Sequence, residues 1–293
     1  MLSNNKISLG TAKLGMPEYG FSDGRVLKDP IDFLLKSLDL GIKSFDTSSR
    51  YGNSEELIGK ALKNSQKTAC VNTKVDHLEP KNSNTPNLML NLINDSISKL
   101  TTDIDVCYLH QNDIKIISDK YVHQGIKLLK KNNLVKEIGT SIYSKEELIY
   151  TLECGIFDWV QIPVNILDTS FYHIISNHNS QIKIAARSVF LQGILINDQW
   201  ARTCIKRNNQ LLNTLNKINE LCSSSGITIQ QLSIAYLMHL DRINQVIIGT
   251  VSKNKLKDNI CSTKIKLQKT LISSIHDISY LPKSWTNPRN WLS

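Results

Sequence analysis

Short apolar runs recur along the chain at Ile7–Leu9, Ile42–Thr47, Ala69–Val75, Ile104–His110, Val135–Ser141, Trp159–Val164, Ile182–Ser188 and Gln245–Gly249. Each is nearly continuous in apolar character, the pattern of a strand covered on both faces. Amphipathic stretches separate almost all of them. "DPIDFLLKSLDLG" predicts a helix with Asp29 at the N-cap, Pro30 in the first turn, Ile31, Leu34, Leu35 and Leu38 as its apolar stripe, and Gly41 as a left-handed stop. "NSEELIGKAL" repeats the grammar, with Asn53 or Ser54 as cap, Glu55 and Glu56 in the first turn, and Leu57, Ile58, Ala61 and Leu62 facing inward. "SKEELIYTLECG" starts at a Ser144 cap and stops near Gly155, and "TIQQLSIAYLMHL" supplies a long helix before the last strand.

Strands alternating with helices imply a parallel sheet covered by helices. Eight such units in 293 residues predict an α/β fold of the (β/α)₈ TIM-barrel type. A doubly wound open sheet is the alternative, and it lacks the G-x-G-x-x-G turn expected after a strand. No linker or low-complexity segment interrupts the pattern, so residues 1–293 read as a single barrel domain, with Asn197 to Gln210 as an inserted loop. No apolar run approaches the ~20 residues of a membrane helix, and "MLSNNKISLG" lacks the layout of a secretion signal. Six cysteines stand singly with no C-x-x-C pair, which suits a reduced, cytoplasmic setting. The net charge of +9 is spread as scattered lysines, without the clustered basic and aromatic pattern of a nucleic-acid binder, and favours an anionic small ligand instead.

In a parallel barrel the chemistry gathers at the C-terminal ends of the strands. Asp46, Lys74, His110 and Ser141 close four consecutive runs, "WVQIPVN" brings Gln161 and Asn165, and "IAARS" brings Arg187 and Ser188. Singly, each has a plain structural reading: a cap, a surface lysine, a satisfied histidine, a packing tyrosine. Together, an acid, a base and a histidine converge on one cleft, with Tyr51 reaching in from the loop after the second strand. The set suits carbonyl reduction. A phenol of ordinary pKa ~10 parts with its proton reluctantly, a neighbouring ammonium favours the phenolate, a carboxylate holds that ammonium, and a histidine can orient the carbonyl oxygen. No H-E-x-x-H or C-x-x-C motif exists, and His173 and His178 are poorly spaced for one helix face, so no metal is expected.

"FDTSSRYGNSEELIGKAL", "VNTKV", "YLHQND", "KEIGTSIYS", "QIPVN", "IAARSVFLQGIL" and "IIGTVSKNKLKDNI" resemble, in this order, segments of the aldo-keto reductases. The resemblance runs from "SLGTAKLG" to about Ile260 and implies a (β/α)₈ barrel that reduces a small-molecule carbonyl substrate with a nicotinamide cofactor. It implies a catalytic tetrad of Asp46, Tyr51, Lys74 and His110, with Tyr51 as proton donor. Carried over likewise, Ser141, Gln161 and Asn165 hold the nicotinamide carboxamide and its surroundings, and Arg187 stands where many relatives stack an aromatic ring. Ser188, Leu191 and Gly193 form the pyrophosphate loop, and Gly249, Thr250, Ser252, Lys255, Asp258 and Asn259 meet the adenosine phosphate end. Lys255, where arginine is common, implies NADPH as the preferred cofactor with NADH possible, since an ammonium is a point charge and not a bidentate fork. Ser141–Ile142 replaces a common Ser-Asn and loses one carboxamide contact. Two other readings of the same barrel are a redox-sensing or regulatory subunit, and a sugar-modifying enzyme that uses its cofactor transiently. Substrate choice is expected in the loops around Tyr19, Gln111, Trp200 and the tail "SWTNPRNWLS" with Trp285 and Trp291; oligomeric state is not legible.

Overall fold

A computed structural model of the chain describes residues 6–20, 26–110, 113–197, 209–279 and 286. Eight parallel strands close into a barrel in chain order: β1 (Ile7–Gly10), β2 (Ser44–Asp46), β3 (Cys70–Val75), β4 (Ile104–Leu109), β5 (Val135–Ser141), β6 (Trp159–Pro163), β7 (Lys183–Arg187) and β8 (Gln245–Gly249), with β8 pairing back onto β1. The expected (β/α)₈ architecture is present. Every expected run carries a strand, and the largest trimming is at β2, where Ile42, Lys43 and Thr47 fall outside the ladder.

The helices between strands start where the sequence says they should. Asp29 accepts from the Asp32 N–H and caps Pro30–Asp39. Ser144 and Glu147 form a reciprocal capping box at Lys145–Glu153, as Thr228 and Gln231 do at Ile229–His239. Two details differ. The buried face of Pro30–Asp39 is Phe33, Leu34, Ser37 and Leu38, leaving Ile31 and Leu35 half-covered, so the stripe is turned by part of a residue toward the barrel. Neither Asn53 nor Ser54 caps Ser54–Lys63 with its side chain, because Ser54 is drawn inward to Thr11.

Register decides which side chains meet. Gly10 pairs with Asp46, Asp46 with Asn72, Lys74 with Tyr108, Val75 with Leu109, and Ser141 with Gln161. Alternate residues of a strand share a face, so Asn72 and Lys74 point the same way and Lys74 rises one step above Asp46. Below this level Ser8, Ser44, Gln245 and Asn72 form a buried hydrogen-bonded chain across β1, β2, β8 and β3. Among the described residues no helix is long and apolar enough to cross a membrane.

Candidate active site

Lys74 is buried to 1% exposure and Asp46 to 4%. The ammonium donates to Asp46 Oδ1 at 2.6 Å and to the Thr47 carbonyl at 2.7 Å. The second carboxylate oxygen, Oδ2, accepts from Gln161 Nε2 at 2.8 Å. Two charges removed from water are tolerable only when their remaining hydrogen-bonding positions are met, and here both carboxylate oxygens are.

Tyr51 lies above this pair, with the Lys74 ammonium 5.1 Å from its ring centroid. The loop that presents it is packed to backbone contact. Gly52 sits at φ +53, and a Cβ at Gly15 would come within 1.8 Å of the Tyr51 carbonyl oxygen. Only a residue without a side chain fits at either point. A chain of buried hydroxyls fixes the base of the loop: Thr47 donates to Ser54, Ser54 to Thr11 Oγ1 and Thr11 to the Asp46 carbonyl. Thr73 donates to Glu55 Oε1 at 2.5 Å, tying the following helix to β3. The D-T-x-x-x-Y-G-x-S-E pattern thus divides into one phenol presented above the ion pair and a frame that holds it.

Burial is the main reason the Tyr51 hydroxyl sits above the ordinary tyrosine pKa, and the Asp46 carboxylate adds to it, against Arg187 and Arg50. The sequence-based expectation that Lys74 would lower this pKa is outweighed here: burial and the Asp46 carboxylate, which pairs with that ammonium, leave the phenol raised. A phenol in this setting keeps its proton at neutral pH and yields it only to a strong base.

His110 follows β4 and stands edge-on to Tyr51, ring centroids 5.9 Å apart and planes at 89°. Burial, with the Lys74 charge behind it, pushes the His110 pKa down to about 3, so the ring is neutral. Its Nδ1 lies 3.2 Å from Ser48 Oγ and 3.4 Å from Asp76 Oδ2.

Asp46 and Tyr51 border a cleft of about 220 Å³ whose lining also includes Gly10, Lys13, Gln161, Arg187, Ser188, Gly193, Gly249 and Lys255, while Lys74 and His110 are not part of that lining. The loop after β7 forms one wall under backbone strain: Ser188, Leu191 and Gln192 all hold positive φ, at 61°, 46° and 54°. A model of the aldo/keto reductase family matches residues 6–279. The chain belongs to the aldo/keto reductase family. Methylglyoxal reductase DkgA of Escherichia coli O157:H7 is 33% identical over 133 residues, covering 42% of this chain and 44% of that protein. The matched stretch thus spans less than half of that relative's length. D-arabinose 1-dehydrogenase of Saccharomyces cerevisiae is 23% identical over 252 residues, 78% of this chain and 75% of its own. The glycerol dehydrogenase AKR11B4 from Gluconobacter oxydans superposes with a TM-score of 0.73 at 19% identity, covering 95% of this chain and 94% of that one, which speaks to the shared fold.

The lining fits the nicotinamide dinucleotide of an aldo/keto reductase. Lys13, Arg187 and Lys255 bring three cations to one cleft, and Arg187 Nε is buried without a hydrogen-bond partner among the described residues. The rest of that guanidinium is held: Nη2 donates to the Ile142 carbonyl at 2.9 Å, Nη1 to Ser188 Oγ at 3.3 Å, and Tyr143 stacks 3.9 Å beneath it.

Not every expected cofactor residue reaches the cleft. Gln161, Arg187, Ser188, Gly193, Gly249 and Lys255 line it, whereas Ser141, Asn165, Leu191, Thr250, Ser252, Asp258 and Asn259 are not part of the lining. Ser252 caps the helix Lys253–Ser262 and Thr250 accepts from the Ser252 N–H. Asn259 accepts from Gln230 at 2.6 Å, Asn165 is engaged with Leu167 in a turn, and Leu191 is fully buried core. Among the specificity residues, Tyr19 lines the cleft 6.1 Å from Tyr51, while Gln111, Trp200, Trp285 and Trp291 lie outside the described residues. Two features escape a reading of the sequence: Lys13, whose signal is its place just after β1, and Asp76, two positions past Lys74 on the same face of the chain.

Proposed function

We propose that this chain is a nicotinamide-dependent oxidoreductase that reduces a small aldehyde or ketone, prefers NADPH, and uses Tyr51 as the proton donor. The observation that carries the reading is the Tyr51 phenol standing over the buried Lys74–Asp46 pair at the wall of a cation-lined cleft. When bound, the nicotinamide supplies the hydride. Lys13, Arg187 and Lys255 would hold its phosphates, with Ser188, Gly193 and Gly249 giving close backbone approach. As a carbonyl carbon accepts hydride, its oxygen becomes an alkoxide, far more basic than a phenolate. Tyr51 then gives up its proton to that oxygen in spite of its raised pKa, and the Lys74 ammonium beside it offsets the phenolate charge left behind. Asp46 and Gln161 keep that ammonium in place. The name of the yeast relative makes sugars a second substrate arm of the same assay.

Tyr51→Phe tests the proposal, since it keeps the ring and its packing. The expected result is an unchanged circular dichroism spectrum and NADPH affinity, with carbonyl reduction slowed by at least ~10²-fold. Near-native rates would remove Tyr51 from the mechanism and turn attention to the regulatory-subunit and sugar-modifying readings.

A further inference from the structure

The loop after β2 carries a charged side chain next to Tyr51. Arg50 Nη1 donates to Asp76 Oδ2 at 2.7 Å, and that same oxygen lies 3.4 Å from His110 Nδ1. The guanidinium therefore reaches the His110 ring with one carboxylate oxygen between them, and His110 stands edge-on to Tyr51 with ring centroids 5.9 Å apart. The loop is tied down on both sides of the arginine. The Arg50 N–H donates to Ser48 Oγ at 3.2 Å, and Ser49 Oγ donates to the Lys74 carbonyl at 3.2 Å. Asp76 is fixed in turn: its Oδ1 accepts from the His77 N–H at 2.8 Å, and His77 turns into the left-handed region, φ 60, to deliver it.

The ion pair is lopsided toward solvent. The Asp76 side chain is 5% exposed and the Arg50 side chain 56%. A solute arriving beside His110 meets the cation and not the acid that anchors it. Of the five guanidinium N–H donors one is spent on Asp76, and among the described residues Nη2 and Nε have no hydrogen-bond partner. The other cations around Tyr51 are committed. Lys74 is closed off between Asp46 and the Thr47 carbonyl, and Arg187 donates to the Ile142 carbonyl and to Ser188 with Tyr143 stacked against it. Burial dominates the pKa of both Tyr51 and His110, yet Arg50 is felt at each, easing the phenol down and opposing an imidazolium. A planar fork already oriented by one carboxylate is suited to hold a second through two parallel N–H donors.

We propose that Arg50 is a specificity-determining residue whose free donors bind a carboxylate carried by the substrate a few carbons from its carbonyl, so that the site favours oxo acids over uncharged carbonyl compounds of the same skeleton. The carbonyl half of this inference rests on the reductase reading above; the carboxylate half does not.

The test has two arms. In the first, kcat/KM with NADPH is measured for the unbranched ω-oxo acids from glyoxylate to 5-oxopentanoate, each against its methyl ester, which keeps the carbonyl and removes the charge. The best acid is expected to exceed its ester by at least ~10-fold, the scale of a charge-assisted contact. Arg50→Gln should bring that ratio close to one and Arg50→Lys should keep part of it; Arg50→Gln/Asp76→Asn, which removes both charges, serves if Arg50→Gln alone does not fold. Acid and ester share the same protein, cofactor and hydride transfer, so a general loss of any of these leaves the ratio in place. Ratios near one throughout the native series, or a ratio that survives the loss of Arg50, overturn the proposal. The second arm needs no turnover. The Arg50 Nε–H resonance in ¹H–¹⁵N spectra, assigned through Arg50→Gln, is followed as the corresponding hydroxy acids or their methyl esters are added in the presence of NADP⁺. A saturable shift with an acid and none with its ester is expected; the same response to both, or none to any, overturns the proposal. An acid-only shift in a protein that reduces no member of the series with NADPH or NADH would count against the reductase reading and leave the carboxylate site standing.

Discussion

Lys74→Met isolates the buried ion pair. Methionine fills a similar volume and cannot donate, so the change strands Asp46 Oδ1 and the Thr47 carbonyl, which now accept at 2.6 and 2.7 Å, while Gln161 still serves Asp46 Oδ2. With Lys74 1% and Asp46 4% exposed, water cannot replace the lost donor without opening the barrel mouth. Removing one partner of a buried pair costs about 3–5 kcal/mol, chiefly because the remaining charge is left uncompensated. For a chain of this size that corresponds to a fall in Tm of about 5–8 °C. Asp46→Asn/Lys74→Met removes both charges, and should regain at least half of the lost stability. Rate and stability should then separate: with no ammonium near Tyr51, the double variant should stay at least ~10²-fold slower in carbonyl reduction.

The measurements are urea unfolding followed by circular dichroism and steady-state oxidation of NADPH on the same preparations. A Lys74→Met variant that loses less than about 1 kcal/mol would mean that the site is wetter or more yielding than its burial implies. A double variant no more stable than Lys74→Met would show that the carboxylate was not the stranded group. A double variant that recovers rate along with stability would refute the catalytic role of the ammonium and leave it structural.

Two further outcomes are expected. Lys255→Met should weaken NADPH binding by about 1.5–3 kcal/mol and leave NADH nearly unchanged in a fluorescence titration, and equal losses would show that Lys255 does not read the 2′-phosphate. His110, at about 3 against an ordinary 6.5, binds its proton less readily folded than unfolded. Its contribution to stability is therefore complete above pH 6.5 and lost progressively as pH falls toward 3. His110→Gln should flatten that part of a Tm-against-pH curve, and an unchanged slope would mean that His110 does not titrate across this window.

The barrel itself was legible because one physical requirement repeats: a strand covered on both faces reads as an apolar run, and its end reads as the first polar residue. That rule delivers Asp46, Lys74 and His110, with Tyr51 in the loop after the second strand, and the family resemblance supplies their expected roles. What it cannot deliver is what each polar atom touches, since that depends on register between segments far apart in sequence. Gln161 illustrates the gap. Placed by resemblance at the nicotinamide, it spends its amide on Asp46, 115 positions away. Asp76 illustrates it again. Past the end of an apolar run it reads as an ordinary loop acid, and only the pairing of Val75 with Leu109 brings it against His110. The same logic limits the adenosine-end residues. "SKNKLKDN" reads as a run of ligands, while Ser252 caps a helix, Asn259 is bonded to Gln230 and Lys253 pairs with Asp32, and Lys255 is the residue of that run that lines the cleft. A motif records which residues a helix N-terminus carries, while the cleft selects among them by where each side chain can reach.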